Sequence, residues 1–139
     1  MAFNVQQQSL LDDLALVDDP QERLAAAVDR ARRRPPLGPA DRTPTYRVPG
    51  CTSHVWLVPS LVDGVCQFYA DADSPLVRGL VVLLADFFSG SSPAEILATD
   101  ADPLEVLDLT RHLSPTRRHG LAAVRTAIRH FAQCAATAG

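Results

Sequence analysis

Proline placement constrains this chain more than any other feature. Of 139 residues, 11 are proline, and five of those follow a serine or an aspartate. Proline holds φ near about −65° and carries no amide N–H, so it suits the first position of a helix and breaks a helix interior. A Ser or Asp just before it supplies the oxygen that caps the first turn. Asp19-Pro20-Gln21-Glu22, Ser92-Pro93-Ala94-Glu95 and Asp102-Pro103-Leu104-Glu105 each add the returning glutamate of a capping box. Ser74-Pro75 and Ser114-Pro115 are the two simpler starts. With the apolar periodicity downstream, the spacing predicts helices at 5–17, 20–33, 75–88, 93–98, 103–110 and 115–135.

Pro35, Pro36, Pro39, Pro44 and Pro49 lie too close together for any helix, so this stretch reads as a loop. Two β-type runs follow, His54-Val55-Trp56-Leu57-Val58 and Val65-Cys66-Gln67-Phe68-Tyr69, joined across Asp63-Gly64 as an antiparallel hairpin. A third strand near 46–48 is expected to pair with it. The fold class is therefore α+β, one soluble domain over 1–139, with a small three-stranded antiparallel sheet packed on one side by helices. The helix at 75–88 carries Leu76, Val77, Leu80, Val81, Leu84, Phe87 and Phe88 on a broad face, which marks it as the centre of the core. Gly79 inside it costs about 1 kcal/mol against alanine, so a closely packed neighbour is expected there.

All 13 of the basic Lys and Arg positions are Arg. A chain without lysine forms no Schiff base to pyridoxal phosphate and has no P-loop lysine. Acidic and basic residues alternate in blocks, and from Arg111 onward there is no Asp or Glu. Solvated helix faces and internal compensation account for such blocks, and the aromatics sit in apolar runs instead of among the arginines, so no nucleic-acid partner is expected. The longest apolar run, 80–85, ends at Asp86, far short of the roughly 18–20 residues of a membrane span. Asn4, Gln6, Gln7 and Gln8 near the start do not read as a secretory leader, and 3 cysteines is an odd count. Free thiols in a reducing, cytoplasmic setting are expected.

Cys66 alternates with Phe68 on the inward side of a strand, as a small buried apolar residue would. Cys134 falls in the last turns of an alanine-rich helix. Cys51 follows Pro49-Gly50 at a loop tip, where the thiol is either presented for reaction or tucked under the loop. Cys51, His54 and Cys66 together form an alternative iron- or zinc-binding set, but only one short ligand pair exists where a structural site uses two. As bases for a nucleophilic thiol, His54, His112, His119 and His130 cannot be ranked by sequence position. Arg117 and Arg118 occupy the first turn of the helix begun by Ser114-Pro115, where cations oppose the macrodipole by a few tenths to about 1 kcal/mol. Either a nearby anion such as a thiolate or persulfide compensates, or surface carboxylates do.

Arg42-x-Pro44, Val48-x-Gly50-Cys51-x-Ser53-x-Val55-Trp56-Leu57, Asp71-x-Asp73 and Val77-Arg78-Gly79-Leu80 resemble, in this order, the SufE family of sulfur acceptors, also called cysteine desulfuration proteins. Pro93-x-Glu95-Ile96-Leu97 and Leu113-Ser114-Pro115-x-Arg117-x-x-Gly120-Leu121 continue the match, which runs from about Leu10 to Ala132. The resemblance implies a fold shared with IscU-type scaffolds. It also implies a carrier that takes persulfide sulfur from a SufS-type, pyridoxal-phosphate-dependent cysteine desulfurase onto Cys51, stimulates that enzyme, and delivers sulfur to a SufBCD-type scaffold. The chain needs no cofactor of its own in that role. Arg117 matches the family arginine near the cysteine, and Gly50 and Asp73 match loop positions tied to partner engagement. Ala31, Pro49 and the run Arg32, Arg33, Arg34 depart from the pattern. Burial protects a persulfide from oxidants, so Cys51 is expected to rest under a rim formed partly by Trp56 and Leu57 and to swing out on docking.

Overall fold

The computed structural model describes residues 3–51 and 54–138. Its helices are α1 (Val5–Ala15), α2 (Pro20–Arg32), α3 (Pro75–Phe88), α4 (Pro93–Ala98), α5 (Pro103–Val106) and α6 (Pro115–Ala138). The strands are β1 (Val55–Val62) and β2 (Val65–Ala72). The five Ser-Pro and Asp-Pro starts are all realised. Asp19, Ser74, Ser92 and Asp102 accept amide hydrogen bonds from the first turns of α2 to α5, and Ser114 Oγ accepts from Arg117 N–H at 3.2 Å.

α5 stops four residues earlier than the expected end at 110. Asp108 takes a left-handed φ of 56° and the Leu109 amide closes back on the Leu104 carbonyl at 2.8 Å. A continued helix would carry Leu109 away from the face of Leu104; unwinding at Asp108 lets Leu104, Leu107, Leu109 and Leu113 all enter the core. α1 ends two residues early, and α6 extends to Ala138.

The sheet is a correction to the three strands expected, for only two are present among the described residues, paired antiparallel with Val55 opposite Ala72 and Val62 opposite Val65. The segment at 46–48 contributes a single bridge, Arg47 opposite Trp56, with hydrogen bonds from Val48 N–H to Val55 O (2.8 Å) and from Leu57 N–H to Tyr46 O (2.9 Å). The next outward-facing donor on β1 would be residue 59 and its partner residue 44, and both are proline. The ladder therefore has nothing to grow on. The β1–β2 turn is as expected, with positive φ at both Asp63 (53°) and Gly64 (81°).

The core lies between one sheet face and the helices. Val55, Leu57, Cys66, Phe68 and Ala72 point inward against α3, in which every residue from Gly79 to Phe88 is buried. α2 crosses the other side of α3, and α6 packs on α3, α4 and β1. A Cβ on Gly79 would stand 2.8 Å from Val28 Cα, so the close approach expected from the sequence is a backbone contact with α2.

The opposite sheet face is partly covered by the proline-rich loop, which is tied down at Asp71. This carboxylate is fully buried and accepts from Arg78 Nε (2.7 Å), Arg42 Nη2 (2.6 Å), Leu37 N–H (2.9 Å) and Ala72 N–H (2.8 Å). Burial alone would raise its pKa, but these donors outweigh burial and hold it below the usual carboxylate value. Arg42 lies 5.0 Å over the Trp56 ring. The loop leading to Cys51 is thus fastened to the sheet just ahead of Arg47 and Val48. Among the described residues no helix is long and apolar enough to cross a membrane.

Candidate functional site

Cys51 follows a turn that glycine makes possible. Gly50 adopts φ +89°, a region that costs an L side chain roughly 1–2 kcal/mol, and the turn sets the chain against α6, with Ala123 and His119 nearest. The thiol is half-buried and donates to the Gly120 carbonyl at 3.4 Å. A Cβ on Gly120 would meet Cys51 Sγ at 3.4 Å, an ordinary contact, so the glycine leaves free space beside the sulfur.

Beside the thiol is a cleft of about 20 Å³, lined by Cys51, Val55, Val77, Val81, Thr116, Arg117, Gly120 and Leu121. About 10–15 Å³ measured in this way holds one water, so the space accommodates a single atom-sized guest against Sγ. The expected rim of Trp56 and Leu57 is replaced by Val55, Val77, Val81 and Leu121. Alternation along β1 explains the exchange: Trp56 faces away under Arg42, Leu57 lines a separate groove with Val48 and Pro49, and Val55 at the strand's start reaches the thiol.

Burial pushes the Cys51 thiol above its ordinary pKa, and the positive charge of Arg47 partly offsets this. At rest the group is therefore a protected thiol rather than a standing thiolate. Arg47 was missed in the sequence, although it lies four residues before Cys51 across a turn that folds the chain back. Arg117 lines the cleft, and its side chain is exposed.

Asp73 lies at the end of β2, half-exposed, with Oδ2 2.8 Å from His54 Nδ1, and its amide donates to the His54 carbonyl at 3.1 Å. The alternative metal set is not assembled. Cys66 is buried in the core opposite Leu61, six residues along the ladder from the Val55–Ala72 end where His54 enters. At about 3.3 Å per residue that is about 20 Å. Among the described residues no group of three or more His, Cys, Asp or Glu side chains is placed to hold a metal. Cys134 is exposed on α6 with its sulfur 3.6 Å from His130 Nε2. Ser53 of the loop motif lies outside the described residues.

Comparison with known proteins gives the family and the fold. A family model described as SufE, Fe-S metabolism associated domain, matches residues 8–132. An uncharacterised SufE-like protein of Rhizobium etli is 32% identical over 141 residues, covering 98% of this chain and 95% of the relative. The solution structure of a hypothetical protein from Thermus thermophilus superposes with a TM-score of 0.77 at 20% identity, covering 98% of this chain and 99% of that one, which establishes a shared fold.

Proposed function

The chain belongs to the SufE family and so to iron–sulfur metabolism, and from that premise we propose that it is a sulfur carrier whose acceptor is Cys51. The observation that supports this most is the half-buried Cys51 thiol beside a cleft with room for one more atom. Sulfur transfer to a thiol is exchange chemistry. The Cys51 sulfur attacks the outer sulfur of the donor's persulfide, a new S–S bond forms, the donor's S–S bond breaks, and its sulfur leaves as a thiolate. No external oxidant or reductant enters, because the sulfane sulfur keeps its oxidation level.

The donor in this reading is a SufS-type cysteine desulfurase, which supplies the pyridoxal phosphate that this lysine-free chain cannot anchor. The recipient is a SufBCD-type scaffold, and the whole exchange takes place in the cytoplasm, within one domain spanning 1–139. Arg117 at the cleft favours the anionic persulfide, Gly50 gives the loop its turn, and Asp73 belongs to the surface that meets the desulfurase. The apolar wall of Val55, Val77, Val81 and Leu121 keeps water and oxidants from the outer sulfur between donor and recipient.

Intact-mass measurement after incubation with a desulfurase and cysteine, without reductant, tests the assignment. One added sulfur is expected in the parent protein and in Cys66→Ser and Cys134→Ser, and none in Cys51→Ser. Sulfur that persists in Cys51→Ser refutes the role of this thiol.

A further inference from the structure

The buried thiol of Cys51 raises a chemical problem, because its protected form is not the nucleophile that exchange requires. We infer that His54, oriented by Asp73, is the proton acceptor that activates Cys51 when the thiol turns out of its cleft. This rests on the sulfur-carrier reading of Cys51.

The geometry is that of a base with its orienting group. The Asp73 carboxylate can only accept, so a neutral His54 ring places its proton on Nδ1, where the 2.8 Å contact lies, and leaves the Nε2 lone pair available. The pairing is held at two points, since the Asp73 amide also donates to the His54 carbonyl at 3.1 Å. The ring leans on Trp56 with centroids 5.8 Å apart, and Trp56 is itself clamped beneath Arg42. The charged groups around it are accounted for. Arg42 is engaged by Asp71, and Arg47 sits opposite Trp56 on the neighbouring segment.

His54 is three residues from Cys51, so their Cα atoms are at most about 10 Å apart. At rest the imidazole does not line the thiol's cleft, so the proposed step brings the two together only after the thiol has left the Gly120 carbonyl. Nucleophile, base and orienting carboxylate are the parts by which activated cysteines are recognised. His119 is the rival, since its Nε2 lies 4.0 Å from where a Gly50 Cβ would be. Among the described residues, however, no hydrogen bond orients the His119 ring.

The step balances as follows. Cys51 gives its proton to His54 Nε2 and its sulfur bonds to the donor's outer sulfur. The donor's S–S electron pair stays on the leaving sulfur, and that thiolate takes the proton back from His54. Asp73 is a positioning residue, acting only through the ring.

The test begins without any partner. In a Cys66→Ser, Cys134→Ser background, Cys51 is alkylated by iodoacetamide, which forms an S–C bond, expels iodide and releases the same proton. The rate is followed against pH for the parent, His54→Gln, Asp73→Asn and His119→Gln. The expected result is a loss of about tenfold in His54→Gln at pH 7, below the usual general-base range of about 10²–10⁴ because thiols ionise appreciably unaided. Asp73→Asn falls between it and the parent, and His119→Gln matches the parent. All four rates converge as pH passes the thiol's own titration, which a variant with a damaged fold or a blocked thiol would not do. Superimposable profiles for the parent and His54→Gln, or a loss confined to His119→Gln, overturn the proposal.

Single-turnover transfer from a persulfide-loaded desulfurase follows at saturating protein. His54→Gln should slow the transfer step at pH 7 yet reach the parent's final mass. If the parent itself takes no sulfur, the carrier reading fails while the alkylation result still stands or falls by itself.

Discussion

Replacing Asp71 by asparagine changes almost no volume and removes one charge at a site that reaches no solvent. Each carboxylate oxygen accepts two hydrogen bonds, one from a guanidinium and one from a backbone amide. An amide nitrogen in place of either oxygen cannot accept, so two of the four donors lose their partner whichever way the group turns. The less costly rotamer gives up the Leu37 amide and Arg42, because the Arg42 side chain is 35% exposed and can turn to water, whereas that of Arg78 is 15% exposed. An unpartnered backbone donor costs about 1–3 kcal/mol. Arg78 also loses the charge that stabilises its bond, and breaking a buried pair from one side typically costs about 3–5 kcal/mol. We expect Asp71→Asn to lose about 3–4 kcal/mol at pH 7, read by urea denaturation, and roughly 10–15 °C in Tm. The pH dependence has a defined sign. The folded-state pKa of Asp71 is depressed, so its contribution is complete above the unfolded value near about 4 and fades as pH falls toward the folded value. Parent and variant stabilities should therefore draw together below about pH 4. A loss under about 1 kcal/mol at pH 7, or a gap that stays constant through the acid range, would refute the view that this carboxylate fastens the loop to the sheet.

Asp102 should behave in the opposite sense. Burial raises its pKa despite the Leu104 amide and Arg125, so its charge costs stability above the unfolded value and the cost is relieved as pH falls through the folded one. Asparagine caps a helix as well as aspartate, so Asp102→Asn should leave neutral-pH stability unchanged or higher by less than about 1 kcal/mol in urea denaturation, and more than about 2 kcal/mol of loss contradicts this. Gly79→Ala should destabilise by about 1–3 kcal/mol although alanine favours helix, because its Cβ meets Val28 Cα and no side chain can yield; Val28→Ala should fail to rescue it in the same assay. Gly120→Ala should gain up to about 1 kcal/mol, since its Cβ would make ordinary contact with Cys51, yet the persulfide on Cys51 should decay faster in air, followed by intact mass, as the space beside Sγ fills. Equal persulfide lifetimes would show that the cleft does not hold the outer sulfur.

What was legible in the sequence was whatever one segment decides alone. Ser92-Pro93-Ala94-Glu95 carries its cap, its first φ and its returning carboxylate within four residues, and α4 starts there as expected. The third strand failed for the converse reason: residues 46–48 have a strand's composition, but pairing depends on donors of β1, and Pro59 withholds one. Likewise the resemblance picked out Arg42, Asp71, Arg78, Gly79 and Gly120 without saying what each does. Asp71 joins residues 29 and 7 positions away, and Gly120 reaches Cys51 across 69. The thiol's chemistry is set in this same non-local way. Gly120 and Val55 bury it, Arg47 tempers that burial, and the Asp71 cluster fixes the loop carrying Arg47. A substitution at Asp71 should therefore reach Cys51 through the loop, by moving Arg47, even though no bond joins the two sites. Slower alkylation of Cys51 in Asp71→Asn, under conditions where the variant remains folded, is the signature of that coupling; an unchanged rate would confine Asp71 to stability alone.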